Sequence, residues 1–173
     1  MKACLMVVCL IAFAGALFAE PSYVGAAKCA KMCHKAKAKG EQYVVWQDSK
    51  HAKAYDDLTS PKALEAAKKA GVTDPQKSEK CLKCHVAGYG VAANLLDSTY
   101  SVKDGVSCEA CHGPGSEYGK LKIMKDKKLA MAAGLTIPDE KVCVKCHNSE
   151  SPFYKEFKFD EMSKKIAHAA PKK

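Results

Sequence analysis

Four times in a chain of 173 residues, two cysteines stand about one helical turn apart with a histidine directly after the second. Nothing else in the sequence restricts folding as much. Cys81-Leu82-Lys83-Cys84-His85, Cys108-Glu109-Ala110-Cys111-His112 and Cys143-Val144-Lys145-Cys146-His147 share one spacing. Cys29-Ala30-Lys31-Met32-Cys33-His34 repeats it with one extra residue between the thiols. Two thiols at this separation can add to the two vinyl groups of one haem, and the next residue then lies under the iron and donates an imidazole nitrogen. Cys-x-x-Cys-His is the attachment signature of c-type haem, and this chain's composition makes roughly 0.02 chance matches expected. Three full matches and a near-match predict four haem c groups. Cys29, Cys33, Cys81, Cys84, Cys108, Cys111, Cys143 and Cys146 are the expected thioether anchors. His34, His85, His112 and His147 are the expected proximal ligands. The longer first spacer requires the backbone to bulge.

Two other uses of paired cysteines are weaker. Zinc knuckles also pair cysteines, but they do not require a histidine after every second one. Disulfides within so short a spacing are strained and reducible.

The remaining cysteines, Cys4 and Cys9, lie in an N-terminal export signal. Met1 and Lys2 precede an apolar run from Ala3 to Phe18, with small residues at Ala14, Ala16 and Ala19. This layout predicts a signal peptide over residues 1–19, cut after Ala19 or Ala16, and a tetrahaem domain over 20–173. The run falls short of the ~20 apolar residues of a span, and no other stretch approaches that length. The expected location is therefore the periplasm, with the extracellular space as the other destination and no membrane span after cleavage.

All 28 basic residues are lysines, set against 19 acids. The absence of arginine argues against nucleic acid, where its fork geometry is favoured. Haem propionates would offset much of the excess, and the remaining lysines favour redox donors and acceptors with acidic docking surfaces.

The histidine count limits the irons. Six histidines minus four proximal ligands leave His51 and His168, so at most two haems can be bis-histidine. The others take methionine or lysine, or stay open. His51 lies beside an apolar stripe in a helix predicted over Gln42 to Leu58, and His168 closes a helix predicted from Asp160. Both are expected distal ligands. Met124 is a further candidate, on one face of a helix predicted from Ser116 to Ala133 together with Met131; Lys120 is an outside alternative.

The rest of the chain reads as lysine-rich helix and loop. Ser60-Pro61 opens a helix that Gly71 closes, and Asp74-Pro75 opens the one leading into Cys81. Residues 88–105 are looser and could hold a hairpin or lid. Gly113-Pro114-Gly115-Ser116 breaks the chain and caps the next helix, Gly134 ends that helix, and Pro138 starts the approach to Cys143. The first cysteines of successive motifs are 52, 27 and 35 residues apart, too uneven for a solenoid. A mature chain of this size has a radius of gyration of ~15 Å, so four haems must lie nearly edge to edge. The expected fold is mostly α with little or no β-sheet: a compact multihaem cytochrome whose porphyrins form the core.

Several segments resemble the tetrahaem cytochrome c-554 family. They are residues 23–29 (Tyr-Val-Gly-Ala-Ala-Lys-Cys), Ser49-Lys50-His51-Ala52, residues 84–90, and residues 105–116, which end in Gly113-Pro114-Gly115-Ser116. The resemblance spans nearly the whole mature chain. It implies a mostly helical periplasmic electron carrier with stacked haem pairs; members linked to ammonia oxidation accept electrons from hydroxylamine oxidation. It implies three bis-histidine haems and a five-coordinate second one. His51 and His168 would then be distal ligands, and the haem of Cys81, Cys84 and His85 would be open. The family also places a distal histidine after the third motif, whereas residues 113–146 here contain none. The first haem would then use Met124 or be open, which weighs against a hydroxylamine role.

The leading expectation is a periplasmic electron-transfer protein with four covalent haems. An enzyme or sensor acting on nitric oxide or a small nitrogen compound at a five-coordinate haem is a second reading, for which no acid or base group can be named. A subunit of an extracellular haem filament is a third. No residue pattern fixes an oligomeric state.

Overall fold

The computed structural model describes residues 20–169. The expected signal peptide lies outside the described residues, as do residues 170–173 and the side chains of Met32 and Cys33. Short helices joined by turns make up the fold: α1 (Ala26–Cys29), α2 (Gln42–Gln47), α3 (Pro61–Lys69), α4 (Glu79–His85), α5 (Cys108–His112), α6 (Leu121–Met124), α7 (Lys127–Ala132), α8 (Glu140–Cys143) and α9 (Phe159–Met162). Among the described residues the nearest approach to a sheet is one parallel bridge, Tyr23 to Leu96. The mostly helical expectation holds.

Helix α3 forms where its local signals place it. The Ser60 hydroxyl accepts the Ala63 N–H at 3.3 Å and Pro61 takes the first helical position. At the far end Gly71 turns at φ +68°, and the Val72 N–H closes on the Ala67 carbonyl at 2.8 Å.

Elsewhere tertiary contacts override periodicity. The helix predicted over 42–58 stops at Gln47. Residues beyond it form turns held against Val106, where the His51 carbonyl accepts the Val106 N–H at 3.0 Å and the Trp46 indole N–H donates to the Val106 carbonyl at 2.9 Å. The helix predicted over 116–133 is two short ones, since Asp126 breaks it by capping α7 through the Lys128 and Leu129 N–H groups. Met124 and Met131 therefore do not share a helical face. Ser116 does not cap a helix; its hydroxyl accepts the Ser22 N–H at 2.9 Å. The helix into Cys81 starts at Glu79, after an Asx turn in which Asp74 accepts the Gln76 N–H. Residues 88–105 form 3-10 turns rather than a hairpin, and the last helical turn ends at Lys165, before His168.

The apolar core is small. Leu58, Leu82 and Val86 form a buried cluster flanked by Tyr55, Cys81 and Tyr100. Leu129, Ile137, Met131 and Phe153 are about half exposed.

Candidate haem-attachment sites

Each motif sits on a helical turn, as thiols bridging one macrocycle require. Helix α5 carries the whole third motif and α4 the whole second. Cys143 ends α8, and the chain turns so that the His147 N–H bonds the Cys143 carbonyl at 3.0 Å. In the first motif the extra residue is absorbed by a π-helical turn, Ala30–His34, directly after α1. A π turn is the way a helix inserts one residue, so the expected bulge takes this form.

The histidines are oriented by bonds to their inner ring nitrogens. His85 Nδ1 lies 2.6 Å from the Ala54 carbonyl, and His112 Nδ1 lies 2.9 Å from that of Thr136. A carbonyl can only accept, so Nδ1 carries the proton and Nε2 keeps its lone pair. His34 Nδ1 lies 3.2 Å from Oε1 of buried Gln42. The Gln42 amide nitrogen donates to the carbonyls of Lys39 (2.6 Å) and Ala169 (2.8 Å), which fixes its oxygen toward His34. Metal-binding histidines use this arrangement, with one nitrogen anchored by an oxygen and the other free.

The two remaining histidines each meet one proximal candidate. His51 and His147 have ring centroids 6.0 Å apart, and His112 and His168 lie 5.8 Å apart. Nitrogens ~2 Å from one metal on opposite faces put two imidazole centroids ~6 Å apart. Burial holds the pKa of His51 below the usual histidine value, and His147 lowers it further. His112 is likewise lowered, chiefly by burial, with His168 and then His34 adding to it against the raising bond to Thr136. Phe157 stacks on His147 at 4.8 Å. No ring contact joins His34 or His85 to another histidine among the described residues.

The thiols show which motifs adjoin. Those of Cys29 and Cys108 lie within reach of each other where α1 packs on α5: Cys108 lowers Cys29 below the usual thiol pKa, while Cys29 and burial raise Cys108. Burial, the charge of Cys84 and a bond to its thiol push Cys146 up to about 12. Burial and then Cys143 raise Cys111. The first motif thus adjoins the third, the second adjoins the fourth, and the third meets the fourth. None of the described cysteines pairs in a disulfide.

Glu109, inside the third motif, is 1 % exposed. Its carboxylate accepts N–H groups from Val24, Gly25 and Gly115, each at 2.8 Å. Burial pushes its pKa above the usual carboxylate value against those bonds. Glu109, Gln42 and Thr136 are not among the site residues expected from the sequence. A charged residue between two cysteines was the available signal for Glu109; the other two act through distant contacts and left none. Met124 lies half-buried at the end of α6, and Lys120 is exposed and paired with Glu117 at 2.6 Å.

Half-buried thiols one turn apart in the second, third and fourth motifs, Nδ1-anchored imidazoles at His34, His85 and His112, and two histidine ring pairs about 6 Å apart fit covalently bound haem. These features define a c-type haem electron-transfer protein. Residues 28–113 match the family model for cytochrome c554 and c-prime. The chain is 32% identical to cytochrome c-554 of Nitrosomonas europaea over 187 aligned positions, covering 87% of this chain and 75% of that protein. It belongs to the cytochrome c-554 family. It is also 29% identical over 113 positions to the multihaem cytochrome MtrA of Shewanella baltica, covering 58% of this chain and 33% of that one. No solved structure matches it. No helix among the described residues is long and apolar enough to cross a membrane.

Proposed function

We propose that this chain is a periplasmic electron carrier with four covalently bound haems, passing single electrons between separate redox proteins. The observation that carries the reading is the convergence of all four motifs. Helix α1 of the first motif packs on α5 of the third, Lys83 inside the second pairs with Glu150 just after the fourth, and Cys111 lies within electrostatic reach of Cys143. Bound haem supplies a one-electron ferric/ferrous couple. The chain's own part is to anchor each macrocycle through two thiols, to hold His34, His85 and His112 by their Nδ1 protons, and to bring the four sites within a short reach. Purified exported protein is expected to give four c-type haems per chain in a pyridine haemochrome assay and to oxidise and reduce reversibly. Two or fewer haems would sink the reading.

A second reading draws on the ring pairs. If His51 serves the iron of His147 and His168 that of His112, the irons of His34 and His85 have no second histidine. One or both would then accept an exogenous ligand such as nitric oxide. A high-spin signal that shifts on nitric oxide addition supports this reading, and a wholly low-spin spectrum removes it.

A further inference from the structure

The lysine excess is shared unevenly between the segments around the two pairs of motifs. Contacts gather the chain around two pairs of motifs, and Tyr23 with Leu96, Trp46 with Val106 and Tyr100 with Ala87 link the two groups, called halves below. Residues 20–47 and 108–134 carry the first and third motifs and join through the neighbouring Cys29 and Cys108 thiols, the Ser22–Ser116 pair and the bonds from Val24 and Gly25 to Glu109. The loop 97–104 joins this half by the Asp104 carboxylate, which accepts the Ala26 N–H, and by Thr99, which donates to the Val24 carbonyl. The tail 163–169 joins it through His168 against His112 and the Ala169 carbonyl on Gln42. The rest carries the second and fourth motifs, joined through Cys84 and Cys146 and by the ion pair between Lys83 and Glu150.

The first half holds thirteen lysines against seven acids, one of them the buried Glu109; the second holds twelve against twelve. Ion pairing sharpens the contrast. Lys69–Glu65, Lys77–Asp74, Lys83–Glu150 and Lys158–Glu161 all lie in the balanced half. In the basic half Lys120 pairs with Glu117. Its Lys31, Lys35, Lys37, Lys122, Lys125 and Lys127 are exposed and take part in none of these pairs. Isolated lysines are an ordinary solvated surface. A single-sign excess confined to one end of an electron relay sets up a field that orients an oppositely charged protein before contact.

We infer that the half carrying the first and third motifs is the docking face for an acidic redox protein, and that the half carrying the second and fourth meets its partner without electrostatic steering. The inference rests on the electron-carrier reading. It adds a direction, because one partner is recognised by charge and the other is not.

The test is stopped-flow reduction of the full haem-loaded protein by photoreduced flavodoxin, an acidic one-electron donor. One variant carries K31E, K35E, K122E and K125E; the other carries K50E, K68E, K141E and K155E, the same charge change on the balanced half. At low ionic strength the first set is expected to slow the second-order rate about tenfold or more, and the second set less than twofold. Added salt is expected to slow the wild type until it meets the first variant. Equal slowing by both sets, or a wild-type rate indifferent to salt, would overturn the docking face. Haem content measured on each variant separates these outcomes from failed maturation. A wild type that dithionite cannot reduce would sink the electron-carrier reading itself.

Discussion

At the scale of single residues, Glu109 shows how a position inside a haem motif can also organise the fold. One carboxylate gathers three backbone N–H groups from two separate segments. Glu109→Gln replaces one acceptor oxygen with a donor facing a donor, which is expected to cost about 1–3 kcal/mol. Glu109→Ala orphans all three N–H groups and is expected to cost more, read by chemical denaturation. The pH dependence has a definite sign. Burial, with a smaller contribution from Asp104, raises the pKa of Glu109, so the folded chain holds this proton more tightly than the unfolded one. Its contribution is complete below the ordinary glutamate value of about 4.3 and is lost as pH rises through the folded value. Glutamine does not titrate. The stability gap between wild type and Glu109→Gln is therefore expected to be wider near about pH 4 than near about pH 7. A gap that widens toward neutral pH would contradict this assignment.

The histidine pairs lead to a spectroscopic prediction at the same scale. His51→Ala and His168→Ala are each expected to convert one low-spin haem to high-spin without changing haem content, and the double variant two, as counted by electron spin resonance. A variant with an unchanged spin count would remove that histidine from the ligand set.

At the scale of elements, legibility followed locality. The four motifs are wholly local, since the proposed thioether attachment needs only residues within one turn. Helix α3 could be read because Ser60, Pro61 and Gly71 act on their own neighbours. Residues 49–55 could not, because their path is set by a partner some fifty positions away. Gly105 approaches so closely that an added Cβ would stand 2.7 Å from the His51 carbonyl oxygen, and its φ is +60°. Gly105→Ala is expected to cost about 1–3 kcal/mol and to displace His51, raising the high-spin fraction together with the loss of thermal stability. The helix over 116–133 failed for a related reason. Asp126 satisfies two N–H groups as a cap, and that local bond interrupts the apolar spacing that suggested one long helix.

At the scale of the whole molecule, nine buried apolar residues, five of them alanine, are a slender core for 150 described residues. The exposed Leu129, Met131 and Ile137 belong to the segment joining the third motif to the fourth, where attached macrocycles would cover apolar surface. Chain made without haem attachment is therefore expected to lack a cooperative thermal transition and much of its far-ultraviolet helical signal. A cooperatively folding haem-free chain would mean that polypeptide packing alone suffices. The charge polarity belongs to this scale too, and it was only half visible in the sequence: the lysine excess could be counted there, but which segments share a half depends on contacts such as Cys29 with Cys108 and His112 with His168.

The most direct measurement is the intact mass of the exported protein together with its haemochrome spectrum. Four haem additions per chain are expected, with all eight motif cysteines resistant to alkylation. A colourless chain, or one whose motif thiols alkylate freely, would contradict covalent attachment at these sites.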